Sequence, residues 1–378
     1  MTPRPRRARA LRSAVAGLIA LAGLTGEAGV AAQSPAATPA APDASFSAER
    51  ITLQTHDSFA LTPDVLAGFQ AQTGVAVDVL TGGDAGSMVN QAILAGDRPL
   101  GDVLFGVDNT FLSRALAAGI FEPYRPAALG DVPADLQLDP EGRVTPIDFG
   151  DVCVNTDLSA FVGDGQPPLP QTLLDLSKPE YKGMLVVEDP GTSSPGLAFL
   201  LATIAEFGEG DTVNPAYGIS WQEFWTALRA NDVFVASDWS DAYYARFSGG
   251  ANEGDHPMVV SYASSPVAEV VFADPRPATP PTGVLLDGCF RQIEFAAVLA
   301  GTQHPAEAQA FVDFLLSPAV QADIPLNMFV SPALSTAQVP AAYAAFNAVP
   351  SAPLSLDPAL IDANREAWIE AWTQLVLR

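Results

Sequence analysis

The segment 236–250, ASDWSDAYYARFSGG, concentrates side chains that can bind a charged ligand. Trp239 lies between two aspartates, and the adjacent tyrosines Tyr243 and Tyr244 follow it. Paired tyrosinates suit a hard metal ion such as ferric iron, whereas a Trp face attracts an organic cation by about 0.5–2 kcal/mol. The residue types leave both kinds of site open. They also allow a third interpretation, in which Trp239 packs in the core and the tyrosines pack on a helix.

Two Ser-Ser-Pro elements are a second candidate feature: Ser193-Ser194-Pro195 and Ser264-Ser265-Pro266. Each follows an apolar run and precedes a helical pattern, which predicts a serine N-cap and a proline in the first helical position. The free backbone N–H groups and the positive end of the helix dipole would then attract an anion. Helix capping alone is the alternative. The pair of elements favours a ligand that carries a phosphate or carboxylate.

Asp84 follows a predicted strand, where ligands of α/β proteins commonly bind, and His56 is the last residue of another. Asp84, in TGGDAGS, either caps the next helix or contacts the ligand. His56-Asp57-Ser58 has the letters of a catalytic triad, but neighbouring residues of an extended chain point in opposite directions. The sequence also lacks a G-x-S-x-G nucleophile elbow. We therefore predict no catalytic residues. The two cysteines and three histidines have no metal-ligand spacing, so we predict no metal site built from them.

Alternating apolar strands and amphipathic helices must position these side chains. RITLQTH, VAVDVLTGG and GDVLFGVD read as strands, and a helical pattern follows each of them. This alternation predicts an α/β fold with mostly parallel strands. The length of 378 residues favours two α/β units rather than one core.

The N-terminus has the pattern of a secretory signal. Five arginines precede an apolar stretch from about Ala14 to Leu24, which is shorter than the roughly 20 residues that span a bilayer. We predict a signal peptide at residues 1–32 and a flexible Pro/Ala-rich leader at residues 33–48. The formal net charge of −25 argues against nucleic acid and anionic membranes as partners.

Seven motifs occur in an order that resembles one known family. They are THDSFA, GVDN at 106–109, PIDFG at 146–150, EDPGTSSPGL at 188–197, SDWSDAY, SYASSP at 261–266 and REAWIEAW. Together they resemble the periplasmic thiamine-binding proteins of bacterial ABC importers, from about residue 51 to 378. The resemblance implies a type II periplasmic binding fold, with two α/β lobes joined by hinge strands. We predict lobe 1 at 49–149 and 290–378, and lobe 2 at 150–289.

The resemblance also implies a set of ligand-binding residues. They are His56, Asp84, Ala85, Ser193, Ser194, Trp239, Tyr262, Ala263, Ser264, Ser265, Pro266 and Phe329. Three positions depart from the family pattern. His56 replaces a tyrosine, Phe329 replaces a tryptophan that stacks on the ligand, and Tyr244 stands where the family has a small residue. The first two keep a planar ring.

The resemblance favours thiamine over iron, with thiamine, thiamine monophosphate or thiamine diphosphate as the ligand and no cofactor. The expected partners are the membrane permease and ATPase of an ABC importer, and the protein is expected to be a monomer in the periplasm. A ferric-iron or polyamine receptor on the same fold is the alternative. A thiamine-cleaving enzyme with Cys153 as nucleophile is a further one. Cys153 and Cys289 lie near the two predicted hinge strands, and we hypothesise a disulfide between them.

Overall fold

The computed structural model describes residues 46–250 and 252–378. The predicted signal peptide, residues 1–32, and residues 33–45 of the predicted leader lie outside the described residues. The end of that leader is held in place, because the backbone N–H groups of Ser47 and Ala48 donate to Glu307 Oε1 at 2.7 and 2.8 Å.

The strands and helices follow the predicted alternation through the first half of the fold. The strands are β1 Arg50–Thr55, β2 Ala76–Thr81, β3 Val103–Asp108, β4 Phe121–Glu122, β5 Thr145–Asp157, β6 Leu185–Glu188, β7 Phe234–Ala236, β8 Met258–Tyr262, β9 Thr282–Leu299 and β10 Ser331–Pro332. The α-helices are α1 Pro63–Thr73, α2 Ala85–Ala95, α3 Leu112–Ala117, α4 Ser194–Phe207, α5 Trp221–Ala230, α6 Ser265–Val271, α7 Pro305–Leu315, α8 Pro318–Asn327, α9 Ala341–Phe346 and α10 Pro358–Val376.

The strands form one mixed sheet in the order β2-β1-β3-β9-β5-β8-β6-β7, with β4 beside β9 and β10 beside β5. Helices lie on both sides of it. At one end β1 pairs with β2 and β3 in parallel, and at the other β6 pairs in parallel with β7 and β8. The central pairs are antiparallel. The prediction of mostly parallel strands therefore holds at the ends of the sheet and not at its centre, where two long strands run in opposite directions.

These long strands, β5 with 13 residues and β9 with 18, contain both predicted lobe boundaries, at Gly150 and Phe290. The lobe boundaries themselves stay a prediction. Cys153 of β5 and Cys289 of β9 form a disulfide, with their Cα atoms 4.4 Å apart. The hypothesised pairing is thus confirmed, and it ties the two long strands together.

The core is built from apolar strands and from one almost wholly buried helix. Every residue of β3 is buried, as are most residues of α4. Trp372 of α10 packs edge-on against Trp225 of α5 at 5.5 Å between ring centroids. The C-terminal REAWIEAW motif therefore stabilises the fold. Within the described part of the chain, no helix is long and apolar enough to cross a membrane.

Candidate ligand-binding site

A cavity of about 500 Å³ lies at the ends of several strands and at the starts of helices α2, α4 and α6. Its volume falls in the range of small-molecule sites. Eight of the predicted ligand-binding residues line it: His56, Asp84, Ala85, Ser194, Trp239, Tyr262, Ser265 and Phe329. The structure thus brings together residues that are far apart in the sequence, from His56 to Phe329. Their contact with a ligand stays a prediction.

Trp239 is held in the cavity wall by contacts on both its ring and its backbone. The indole Nε1–H donates to Ser261 Oγ at 3.0 Å, and the ring stacks on Tyr243 at 5.1 Å with planes 16° apart. The Trp239 backbone N–H lies 3.3 Å from Asp84 Oδ2 and donates to it. Trp239 lines the cavity, and an indole face beside a carboxylate attracts a cation.

The two tyrosines lie on a π-helical turn, Asp241–Arg246, which the sequence did not predict. Tyr243 is buried, and its hydroxyl donates to Glu269 Oε1 at 2.7 Å. Burial and the Glu269 carboxylate raise the pKa of Tyr243 well above its usual range, which opposes the tyrosinate that iron binding needs. Tyr244 is 60% exposed and meets the Trp239 ring edge-on at 5.3 Å. The pair is thus engaged in packing, and Tyr244 lines the cavity.

The aspartates on either side of Trp239 do not line the cavity. Asp238 Oδ1 accepts the backbone N–H of Asp241 at 2.8 Å, and Asp241 forms an ion pair with Arg246 at 3.1 Å. Both side chains stabilise the turn. The carboxylates that line the cavity come instead from distant parts of the chain: Asp57, Asp84, Glu269 and Glu294.

Asp84 caps a helix, which is one of its two predicted roles, and it also lines the cavity. Its Oδ1 accepts the backbone N–H of Ala85 at 2.7 Å at the start of α2. Burial raises the pKa of Asp84, and hydrogen bonds from the backbone N–H groups of Ala85 and Trp239 partly offset that rise. The Asp84 carboxylate therefore lines the cavity in an orientation that hydrogen bonds within the protein already fix.

His56 and Glu294 both line the cavity and form an ion pair, with His56 Nε2 3.3 Å from Glu294 Oε1. Burial lowers the pKa of His56, but the carboxylates of Glu294, Asp84 and Asp57 together outweigh this, and the net pKa is raised. Burial raises the pKa of Glu294, but His56 and a hydrogen bond with Asp148 together outweigh this, and the net pKa is lowered. Gly106 makes room for the imidazole: a Cβ there would lie 2.2 Å from His56 Cδ2. Beside the pair, burial and Glu294 raise the pKa of Asp148 well above its usual range.

The first Ser-Ser-Pro turn directs a hydroxyl to a buried acid. Ser194 Oγ donates to Asp108 Oδ2, and Thr110 also donates to Asp108 through its N–H (2.7 Å) and its hydroxyl (2.5 Å). Burial raises the pKa of Asp108 to about 6. Ser193 is the N-cap residue of α4 without a side-chain capping bond, and the proline is second in the helix. His56, Asp84 and Glu294 line the cavity, and Asp108 lies behind Ser194; we call these four residues the acidic floor.

The second Ser-Ser-Pro turn connects the cavity to the segment before β10. Ser264 Oγ donates to the carbonyl of Phe329, and Ser265 Oγ lies 2.9 Å from Ser261 Oγ. Phe329 has φ +57, a left-handed conformation that is costly for a bulky residue. Its ring meets Phe272, itself 73% exposed, at 5.4 Å. We call Trp239, Tyr244, Phe272 and Phe329 the aromatic rim.

Four predicted residues lie behind the cavity wall. Ser193 Oγ is buried without a hydrogen-bond partner among the described residues, Ser264 donates to the Phe329 carbonyl, and Ala263, after β8, and Pro266, in α6, are buried. The sequence-based prediction also missed residues that line the cavity, among them Phe59, Tyr244, Glu269, Phe272, Gln292 and Glu294. An acid inside an apolar strand is one signal that could have identified Glu294, in RQIEFAAVL, because a buried charge needs a partner.

Comparison with known proteins agrees with this architecture. A family model described as bacterial extracellular solute-binding protein matches residues 98–352. The chain is 29% identical to the thiamine-binding periplasmic protein of Escherichia coli strain K12, over 88% of this chain and 95% of that protein.

Solved structures match over the same extent of the chain. A periplasmic thiamin binding protein matches with TM-score 0.73 and 27% identity, over 89% of this chain and 99% of that one. Iron-bound HitA from Pseudomonas aeruginosa matches with TM-score 0.67 and 23% identity, over 86% and 99%, which is a likeness of fold alone. The chain belongs to the bacterial extracellular solute-binding proteins and has the type II periplasmic binding fold.

Proposed function

We propose that this protein is the periplasmic thiamine-binding component of an ABC importer. The observation that carries the proposal is the Trp239 ring, held with one face on Tyr243 in a cavity lined by four carboxylates. Thiamine has a quaternary thiazolium that suits an aromatic face beside negative charge. Its aminopyrimidine has donors and acceptors for the polar groups of the floor. The names of the relatives support the same ligand.

The mechanism involves binding and release without covalent chemistry. Ligand binding would stabilise a closed conformation of the two predicted lobes, because the ligand binds the closed conformation more tightly than the open one. β5 and β9 would be the strands that connect the lobes. The closed, monomeric protein would deliver thiamine to a membrane permease and its ATPase. Cys153 does not supply a nucleophile for thiamine cleavage, because it is buried and disulfide-bonded to Cys289.

Isothermal titration of protein that was unfolded and refolded to remove carried ligand tests the proposal. We expect micromolar or tighter binding of thiamine, and no comparable binding of spermidine. Ferric iron should give no tyrosinate charge-transfer band, because Tyr243 is engaged with Glu269. A visible band with ferric iron, together with no heat from thiamine, would replace the proposal with an iron-binding function.

A further inference from the structure

Asp148 is a buried carboxyl group to which no neighbour donates. It lies in β5, is 0% exposed, and neither of its carboxyl oxygens accepts a hydrogen bond from any described residue. Other acids near the cavity have donors: Asp84 accepts backbone N–H groups, and Asp108 accepts side-chain hydroxyls as well. An ionised carboxylate is costly to bury without a partner, so burial favours the protonated form of Asp148.

The strand pairing sets a second carboxyl group directly against Asp148. Asp148 of β5 is the register partner of Glu294 of β9 in an antiparallel pair. Directly opposite residues of such a pair have their side chains on the same face of the sheet, with Cβ atoms about 4.5–5.5 Å apart. Glu294 is buried too, at 8% exposed. Two carboxyl groups this close in a desolvated place do not both ionise, and one proton between them replaces repulsion with a hydrogen bond.

His56 decides which of the two acids keeps the proton. His56 Nε2 lies 3.3 Å from Glu294 Oε1, so a positive imidazolium stabilises the ionised form of Glu294. Among the described residues, no lysine, arginine or histidine forms an ion pair with Asp148. The pKa directions agree with this division. Burial and then Glu294 raise the pKa of Asp148, whereas His56 and the hydrogen bond with Asp148 lower the pKa of Glu294 against the effect of its burial.

We propose that Asp148 is a positioning residue of the ligand-binding cavity: it keeps its proton at neutral pH and donates it to Glu294, which stays ionised and paired with His56. Glu294 and His56 line the cavity, and Asp148 lies behind them. The donated hydrogen bond and the ion pair then fix the Glu294 carboxylate from two sides. The protonation of Asp148 concerns the protein alone, and its effect on thiamine binding rests on the proposed function.

Other charged and titratable groups surround these three residues. They are Asp57, Asp84, Asp108, Asp151, Arg291, Tyr262 and Tyr343. Arg291 is already paired with Asp151 at 2.6 Å. The wild type and variants at Asp148 or Glu294 share all of these groups, so a difference between them reports the charge of the replaced side chain.

Titration of the His56 imidazole by NMR in the ligand-free protein measures whether Asp148 is charged. The chain has three histidines, and the variants His256→Gln and His304→Gln identify the His56 signals. We expect Asp148→Asn to leave the pKa of His56 unchanged, because a neutral amide replaces a neutral acid. Glu294→Gln is the matched control and should lower that pKa by about one pH unit or more, since it removes an ionised carboxylate. A comparable fall in Asp148→Asn would overturn the proposal.

A second measurement does not depend on whether Asp148→Asn folds. With aspartate labelled by carbon-13 in its carboxyl group, we expect an aspartate signal that stays protonated at about pH 7.5. This signal should persist in Asp84→Asn and Asp108→Asn, the other buried aspartates near the cavity with a raised pKa. A spectrum in which every aspartate is ionised at that pH would reject a proton on Asp148.

Isothermal titration with thiamine tests the positioning role. Asp148→Ala removes the donor to Glu294, and we expect thiamine affinity to fall by about tenfold. Asp148→Asn has an amide N–H that can still donate to Glu294, so it should recover most of this loss. Wild-type affinity in Asp148→Ala, or equal losses in the two variants, would overturn the role. If thiamine does not bind the wild type, the proposed function fails, and the histidine titration still decides the state of Asp148.

Discussion

The acidic floor and the aromatic rim of the cavity differ in how firmly the fold holds them. In the floor, His56, Asp108 and Glu294 are buried, and each is paired within the protein. In the rim, Tyr244 and Phe272 are 60% and 73% exposed. The floor thus sets the charge of the site with groups that cannot move without losing partners. The rim has ring faces that a ligand can cover, and Asp84 joins the two regions through its contact with the Trp239 backbone.

Replacing Trp239 with leucine tests the aromatic rim next to Asp84, and we expect this change to lower thiamine affinity most. The variant loses the ring face and its stack on Tyr243, and thiamine affinity should fall by about 30-fold. Trp239→Phe keeps an aromatic face and should lose less. Isothermal titration measures both. Equal losses in the two variants would mean that shape, and not the aromatic face, decides binding.

Asp84→Asn tests the charge of the floor. Asparagine keeps an oxygen for the Ala85 N–H but removes the carboxylate beside Trp239. We expect thiamine affinity to fall by about tenfold and to depend less on salt. Asp78→Asn, at the surface next to Arg50, is the control and should bind normally. Unchanged affinity in Asp84→Asn would show that the floor charge does not act on the ligand.

Lowering the pH tests the same charge without a mutation. The pKa of Asp108 is raised to about 6. This acid is therefore mostly ionised at pH 7.5 and takes up a proton as the pH falls through its pKa. Asp84 also has a raised pKa and changes charge in the same direction. His56 has a raised pKa and only gains positive charge as the pH falls. Thiamine affinity should therefore drop by about threefold between pH 7.5 and 5.5.

The control for this pH dependence is Asp108→Asn, which removes one of the titrating groups. Ser194, Thr110, Gln292 and Glu294 surround Asp108. The variant should bind thiamine with a flatter pH profile once the ligand's own titration is subtracted. A steeper profile in the variant would contradict the role given to Asp108.

Truncating Tyr244 should lower thiamine affinity less than the changes at Trp239 and Asp84. Tyr244→Ala removes an exposed ring that touches Trp239 edge-on, and we expect about a two- to threefold loss of thiamine affinity. Tyr244→Phe should bind as the wild type does, because the argument uses the ring and not the hydroxyl. A tenfold loss in Tyr244→Phe would restore the tyrosine pair as a polar binding element.

The strands and helices around the floor were predictable because their patterns are local. β1, β2 and β3 coincide with the apolar runs of the sequence, and α2 begins after a capping aspartate, as expected from TGGDAGS. Trp239, Asp84 and His56 were identified by residue type and by resemblance. They converge on one cavity although β1 and β2 run in the opposite direction to β6, β7 and β8, so a shared sheet edge does not explain the convergence.

The hydrogen-bond partners of the floor were not predictable, because they join distant parts of the chain. Ser194 binds Asp108 across 86 positions, and Gln292 contacts it across 184. The two Ser-Ser-Pro turns have the same letters, yet α4 has 14 residues and α6 has seven, and their hydroxyls have different acceptors. The π-helical turn of Tyr243 also depends on its packing against Trp239 and Glu269. Tertiary contacts decide these features.

The position of bound thiamine in a crystal structure of the complex tests the central claim most directly. We predict the thiazolium ring over the face of Trp239 opposite Tyr243, within about 6 Å of the indole centroid, with Asp84 beside the thiazolium. Thiamine bound away from Trp239, or bound with Trp239 turned out of the cavity, would contradict the account.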